Sequence, residues 1–163
     1  MYDVKPVNDR RSTVCGPVSL KMLLSYYNID ADLDTLIEEC NIRVDGCTAA
    51  DLLRVGRAHG LDQMVAFKME AAELVRQDRP AIIWWRYHHF CVFCGTNDAG
   101  DVVICNPSSA RYAIDFGTFA ALYSGVALFN GEPVTGDAPA STTERLTALE
   151  DELAATKIIL GVE

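Results

Sequence analysis

What constrains this chain most is the order of its two hydrophobic patterns: helical spacing over residues 16–60, then short apolar runs over 64–129. Gly16-Pro17 opens a segment whose apolar side chains (Val18, Leu20, Met22, Leu23, Leu24, Tyr26, Tyr27) fall on more than one face of a helix. Proline is tolerated in a first turn, where its missing N–H is no loss, so a helix is predicted to start near residue 16. A helix apolar on several faces is buried on most sides. Leu33, Leu36, Ile37 and Cys40 predict a second, short helix. Thr48-Ala49-Ala50-Asp51 reads as a capping box that opens a third, which Gly60 ends.

Strand signals follow. Residues 64–69 partly alternate, and Ala81-Ile82-Ile83-Trp84-Trp85 and His89-Phe90-Cys91-Val92-Phe93-Cys94 are short apolar runs. Asn97-Asp98-Ala99-Gly100-Asp101 reads as the hairpin turn into Val102-Val103-Ile104-Cys105. Trp84 and Trp85 are expected to be half core and half groove wall. Residues 111–114 predict a further strand, 116–123 a short helix, and 126–129 a strand that closes the sheet. Helices first and an antiparallel sheet after them make an α+β pattern.

The last aromatic residue is Phe129, and residues 131–140 are rich in Gly, Pro and Ala. That change divides the chain into a domain over 1–130, a linker over 131–141 and a tail over 142–163. In the tail, Ser141-Thr142-Thr143-Glu144 has the capping-box pattern. Leu146, Leu149, Leu153, Thr156 and Leu160 follow the three-and-four spacing of a coiled-coil seam. A helix of about 18 residues is marginal alone in water. Its leucines must therefore pack, on the domain of the same chain or on a second copy, and a homo-oligomer held partly by the C-terminal helix is the favoured expectation.

Charge narrows the partners. The chain carries a net charge of −9, which disfavours nucleic acid, since binding there rests on neutralising phosphates. No apolar run approaches the roughly 18 residues of a membrane span, so no membrane partner is expected. Residues 1–6 lack the apolar segment of a signal peptide, which makes cytoplasmic the expected compartment.

Six cysteines (15, 40, 47, 91, 94 and 105) and three histidines are the groups for thiol chemistry. In a cytosolic chain cysteines are thiols rather than disulfides, and most are simply buried. Cys15 differs because it stands at the predicted helix start, where partial positive charge favours the thiolate, the nucleophilic form. Such a nucleophile needs a base, and the base an orienting group. His59 lies near the end of a helix, and His88 and His89 at the start of an apolar strand. In an antiparallel hairpin the start of one strand lies beside the end of the next. Asn106, just after that next strand, is therefore a neighbour for His89, and its amide can fix the ring. Cys91 and Cys94 have the spacing of a zinc site, but residues three apart on a strand face opposite sides. No metal and no cofactor are expected.

On these residues the chain resembles the bacteriocin-processing cysteine peptidases of the papain-like superfamily, which remove double-glycine leader peptides. Residues 14–27 are similar to that family's nucleophile helix, and Gly46-Cys47-Thr48-Ala49-Ala50-Asp51-Leu52-Leu53 to its Gly-Thr-x-x-x-Asp-Leu helix start. Tyr87-His88-His89-Phe90-Cys91-Val92-Phe93 is similar to its His-Phe-Val-Val strand, and Cys105-Asn106-Pro107 to its Asp-Pro. The resemblance covers residues 8–129. It implies a papain-like fold and a thiol-dependent peptidase with a Cys15-His89-Asn106 triad. It also implies a peptide or protein substrate cut after small residues of the Gly-Gly type. The family places an oxyanion-hole Gln six residues before the nucleophile. Asp9 stands there, and an ionised Asp only accepts, so neighbouring Asn8 is the candidate donor. Two other classes stay open on the same residues: a lapsed peptidase serving as a binding or assembly module, for which Asp9 speaks, and a cell-wall peptide hydrolase.

Overall fold

A computed structural model describes residues 1–134 together with Glu144 and Arg145. Three helices come first: α1 (Cys15–Tyr26), α2 (Leu33–Glu39) and α3 (Ala49–Ala58). Then follow β1 (Met64–Lys68), α4 (Ala71–Leu74), β2 (Ala81–Trp85), β3 (His89–Thr96), β4 (Val102–Cys105), β5 (Arg111–Ile114), α5 (Phe116–Leu122), β6 (Tyr123–Asn130) and β7 (Glu144–Arg145). The strands form one antiparallel sheet in the order β5-β4-β3-β2-β6-β1-β7. The α+β expectation holds. β6 departs from it in place: rather than closing the sheet at an edge, it runs between β1 and β2, with Leu128 opposite both Ala66 and Ile82. The unbroken apolar run Val126-Ala127-Leu128-Phe129, buried throughout, is what an interior strand requires.

Both faces of the sheet are covered, which explains why β2 reads as five consecutive apolar residues. Ile82 and Trp84 join one core with Leu20, Leu23 and Leu24 of α1 and Leu52 of α3. Ile83 and Trp85 join a second core with Phe93, Phe119 and Phe129. Neither tryptophan forms a groove wall: Trp84 is 5% exposed and Trp85 fully buried. α1 is the centre of the first core, with nine of its twelve residues buried. Thr48 and Asp51 cap α3 reciprocally, Thr48 Oγ1 accepting from the Asp51 N–H at 2.9 Å and Asp51 Oδ2 from the Thr48 N–H at 3.0 Å.

The first residues of the chain are stitched to the sheet. The Tyr2 N–H donates to Cys94 O at 2.7 Å, and Arg111 donates to the carbonyls of Val4 and Tyr2, each at 2.9 Å. β7 pairs with β1, placing Arg145 opposite Phe67 and Glu144 opposite Lys68. The rest of the expected tail, its helix and its coiled-coil seam, lies outside the described residues, as does most of the expected linker. Among the described residues no helix is long and apolar enough to cross a membrane.

Candidate active site

Cys15 is the first residue of α1, and no side chain caps the helix start at Val14. The early N–H groups are thus left for whatever sits there. The thiol is met by the backbone N–H groups of Phe90, Gly16 and Cys15 itself. Gly16 makes this approach possible. A Cβ at that position would lie 2.3 Å from Cys47 Sγ and 3.4 Å from Phe90 Cδ2, so only a residue without a side chain lets α1 close onto β3 and the start of α3. Cys15 is 9% exposed, whereas the other five cysteines are 3% exposed or fully buried.

The sheet supplies the second half. β2 and β3 are joined by a tight turn in which the His88 N–H donates to Trp85 O at 3.1 Å and His88 takes the left-handed conformation (φ 62°). That turn sets Trp85 opposite His89 and leaves His89 at the rim of the sheet. On β4, Cys105 lies opposite Val92. Asn106, one residue on, is therefore a diagonal neighbour of His89 on the same face, within reach of long side chains. His89 Nε2 donates to Asn106 Oδ1 at 2.8 Å. Asn106 is 9% exposed, with a partner at each end of its amide. Its Oδ1 also accepts from the Ser108 N–H at 2.9 Å, and its Nδ2 donates to the Tyr112 hydroxyl at 3.3 Å. The Tyr87 ring stacks on His89, nearly parallel at 12° with centroids 6.0 Å apart.

Burial decides the charge states. It pushes the Cys15 thiol above its ordinary value, against the pull of the three N–H groups. It pushes the His89 imidazole down, against the Asn106 hydrogen bond, which favours the charged ring. Both directions favour the neutral thiol and the neutral imidazole over their charged forms. The N–H groups at the helix start favour the thiolate as expected, and desolvation by burial opposes them.

The remaining expected groups are placed as follows. Asn8 is exposed. The Asp9 N–H donates to Pro107 O at 2.9 Å, tying this segment to the turn that carries Asn106. The Asp9 carboxylate is clasped by Arg11, Nη2 to Oδ2 at 2.6 Å and Nε to Oδ1 at 3.0 Å. That pairing holds it below the usual carboxylate range and keeps it an acceptor. His88 turns away from the His89 face and sets its ring edge-on against Trp84 at 5.8 Å. His59 pairs with Glu39, 2.5 Å from its Oε2. Cys91 and Cys94 point into different cores, as the strand geometry requires. Among the described residues no three His, Cys, Asp or Glu side chains gather as metal ligands. The sequence reading missed Tyr112, Ser108 and Tyr87. A tyrosine in a short edge strand carries no local signal, since its role depends on which strand lies beside it.

The comparisons fit this geometry. The peptidase C39 family matches residues 3–133. A double glycine motif protease from an AMS/PCAT transporter, solved in complex with the leader peptide, is 24% identical over 82% of this chain and 94% of that one, with a TM-score of 0.72. The peptidase domain of Streptococcus ComA, a bi-functional ABC transporter involved in a quorum sensing pathway, is 21% identical over 77% and 96%, with a TM-score of 0.68. The peptidase domain of Streptococcus mutans ComA is 19% identical over 77% and 97%, with a TM-score of 0.59. Comparison with curated proteins gives no significant match. The chain belongs to the peptidase C39 family and is a cysteine peptidase.

Proposed function

We propose that this peptidase works through Cys15, His89 and Asn106 and cuts after small residues, a Gly-Gly pair foremost. The observation that carries the reading is the bond from His89 Nε2 to Asn106 Oδ1. An amide oxygen only accepts, so the neutral ring carries its proton on Nε2 and keeps its lone pair on Nδ1 for the thiol proton. His89 takes that proton as Cys15 Sγ attacks the scissile carbonyl carbon. The Cys15 N–H and the Asn8 amide meet the oxyanion. The imidazolium then gives its proton to the leaving amine, which departs and leaves a thioester. Water, deprotonated by the same ring, releases the acid product and restores the thiol. The preference for small residues rests on the resemblance of the four motifs and on the similar double glycine motif protease solved with its leader peptide.

A synthetic peptide with one internal Gly-Gly pair is the test. Mass spectrometry should find a single cut after the second Gly with the native chain and none with Cys15→Ala. An intact peptide after long incubation with the native chain would reject the reading. One observation favours a second reading, a lapsed peptidase that binds peptides: Arg11 holds Asp9 ionised where the family carries a Gln. Its signature is peptide binding without cleavage, with cleavage gained in Asp9→Gln.

A further inference from the structure

We infer that Tyr87 is a positioning residue for the base: its ring, stacked on both Trp85 and His89, sets the plane of the His89 imidazole. This role rests on the triad reading above. A histidine ring turns readily about the bond that joins it to Cβ, because torsions of this kind have broad minima. His89 is held at Nε2, which donates to Asn106 Oδ1 at 2.8 Å. Nε2 lies near the axis of that turn and Nδ1 farther from it. The Asn106 bond therefore locates the tip of the ring and restrains its plane weakly. The lone pair on Nδ1 lies in the ring plane, so a tilt of the plane aims it away from the thiol proton. A flat surface against the face of the ring opposes that tilt directly.

Tyr87 supplies that surface and is itself anchored. Its ring lies nearly parallel to His89, at 12° with centroids 6.0 Å apart, and nearly parallel to Trp85, at 11° with centroids 6.2 Å apart. Both separations are those of offset aromatic pairs. Trp85 and His89 stand directly opposite in the β2–β3 register, and Tyr87 lies in the turn that joins the two strands, so one ring reaches both. Trp85 is the fixed member: it is fully buried, with Phe119 edge-on to it at 5.5 Å. The turn is held in place as well, the Arg86 N–H donating to Leu122 O at 2.8 Å and the His88 N–H to Trp85 O at 3.1 Å. The second core thus passes its orientation through Tyr87 to the imidazole. Tyr87 itself is 54% exposed, so replacing it costs the fold little. The face of the ring makes both contacts, which leaves the hydroxyl without a part in them.

The test uses the full chain in two backgrounds, native and His89→Ala, with Tyr87→Phe and Tyr87→Leu in each. Phe keeps the flat face, and Leu keeps apolar cover on Trp85 without it. Two quantities are read near neutral pH: the rate of Cys15 alkylation by iodoacetamide, mapped by peptide, and kcat and KM on a peptide with one internal Gly-Gly pair. Iodoacetamide occupies no peptide-binding groove, so its rate reports on the base alone. Tyr87→Leu should slow alkylation and lower kcat by about tenfold, the scale of a misplaced catalytic group, with KM within about twofold of native. Tyr87→Phe should keep at least about half of the native rate, since it offers the same face. In His89→Ala, where no ring is left to position, Tyr87→Leu should slow alkylation by less than about 1.5-fold. A native alkylation rate in Tyr87→Leu, equal slowing by Phe and Leu, equal slowing in the two backgrounds, or a raised KM at unchanged kcat overturns the inference; the last would make Tyr87 a substrate contact. Failure of the triad itself shows separately, as alkylation of Cys15 in His89→Ala at the native rate.

Discussion

The two halves of this molecule hold the proposed reactive groups by different physical means. α1 holds Cys15 by packing: the helix is buried on most sides, no side chain caps its start, and Gly16 lets it sit against Cys47 and Phe90. The sheet holds His89 by a polar network: Asn106 fixes the ring and is itself fixed by Ser108 and Tyr112. Packing resists through excluded volume and polar networks through direction. Damage to the packing around α1 should therefore reach stability and activity together, while damage to the network around His89 should reach activity more than stability.

The most severe break removes the reacting groups. Cys15→Ala or His89→Ala should lower peptide turnover by at least about three orders of magnitude with little change in melting temperature, measured by cleavage assay and thermal unfolding. Asn8→Ala should lower turnover by about two to three orders of magnitude, again at nearly unchanged melting temperature, if Asn8 meets the oxyanion. Unaffected turnover would hand that role to another group.

Gly16→Ala sharpens the contrast from the helical side. The added methyl meets Cys47 Sγ and the side chains of Leu52 and Phe90, and overpacking of this kind costs about 1–3 kcal/mol. Melting temperature and turnover should fall together, and Cys47→Ala in the same chain should recover part of both. The smallest effect is in pH. Burial lowers the folded-state pKa of His89 below its ordinary 6.5, so the unfolded chain binds this proton more readily. The resulting stability is fully present above pH 6.5 and is lost as pH falls through the folded value. His89→Phe should flatten the fall in melting temperature over that window.

The helical half was the more legible in sequence because its signals are local. The Thr48–Asp51 cap, the buried pattern of 18–27 and the glycine that ends α3 are each written within a few neighbouring residues. The hairpin turn at 97–101 was legible for the same reason, and the antiparallel pairing it implies was enough to set His89 near Asn106. What stayed hidden depends on contacts far apart in the chain. Nothing near residue 126 says that β6 enters between β1 and β2, and nothing near residue 112 says that its hydroxyl faces Asn106. Nor can a helix start reveal how deeply its first side chain will be buried. That depth sets desolvation, which raises the Cys15 pKa, against the N–H groups that lower it.

Alkylation of the native chain with a substoichiometric amount of iodoacetamide, mapped by peptide across pH 6 to 9, tests most directly whether packing and network meet in one reactive thiol. Cys15, the most exposed of the six and the one at the helix start, should react first. Its rate should climb with pH toward 9 as the thiol, held up by burial, gives up its proton, and should fall in His89→Ala. Labelling of Cys40 or Cys105 ahead of Cys15, or an equal Cys15 rate without the imidazole, would contradict the account.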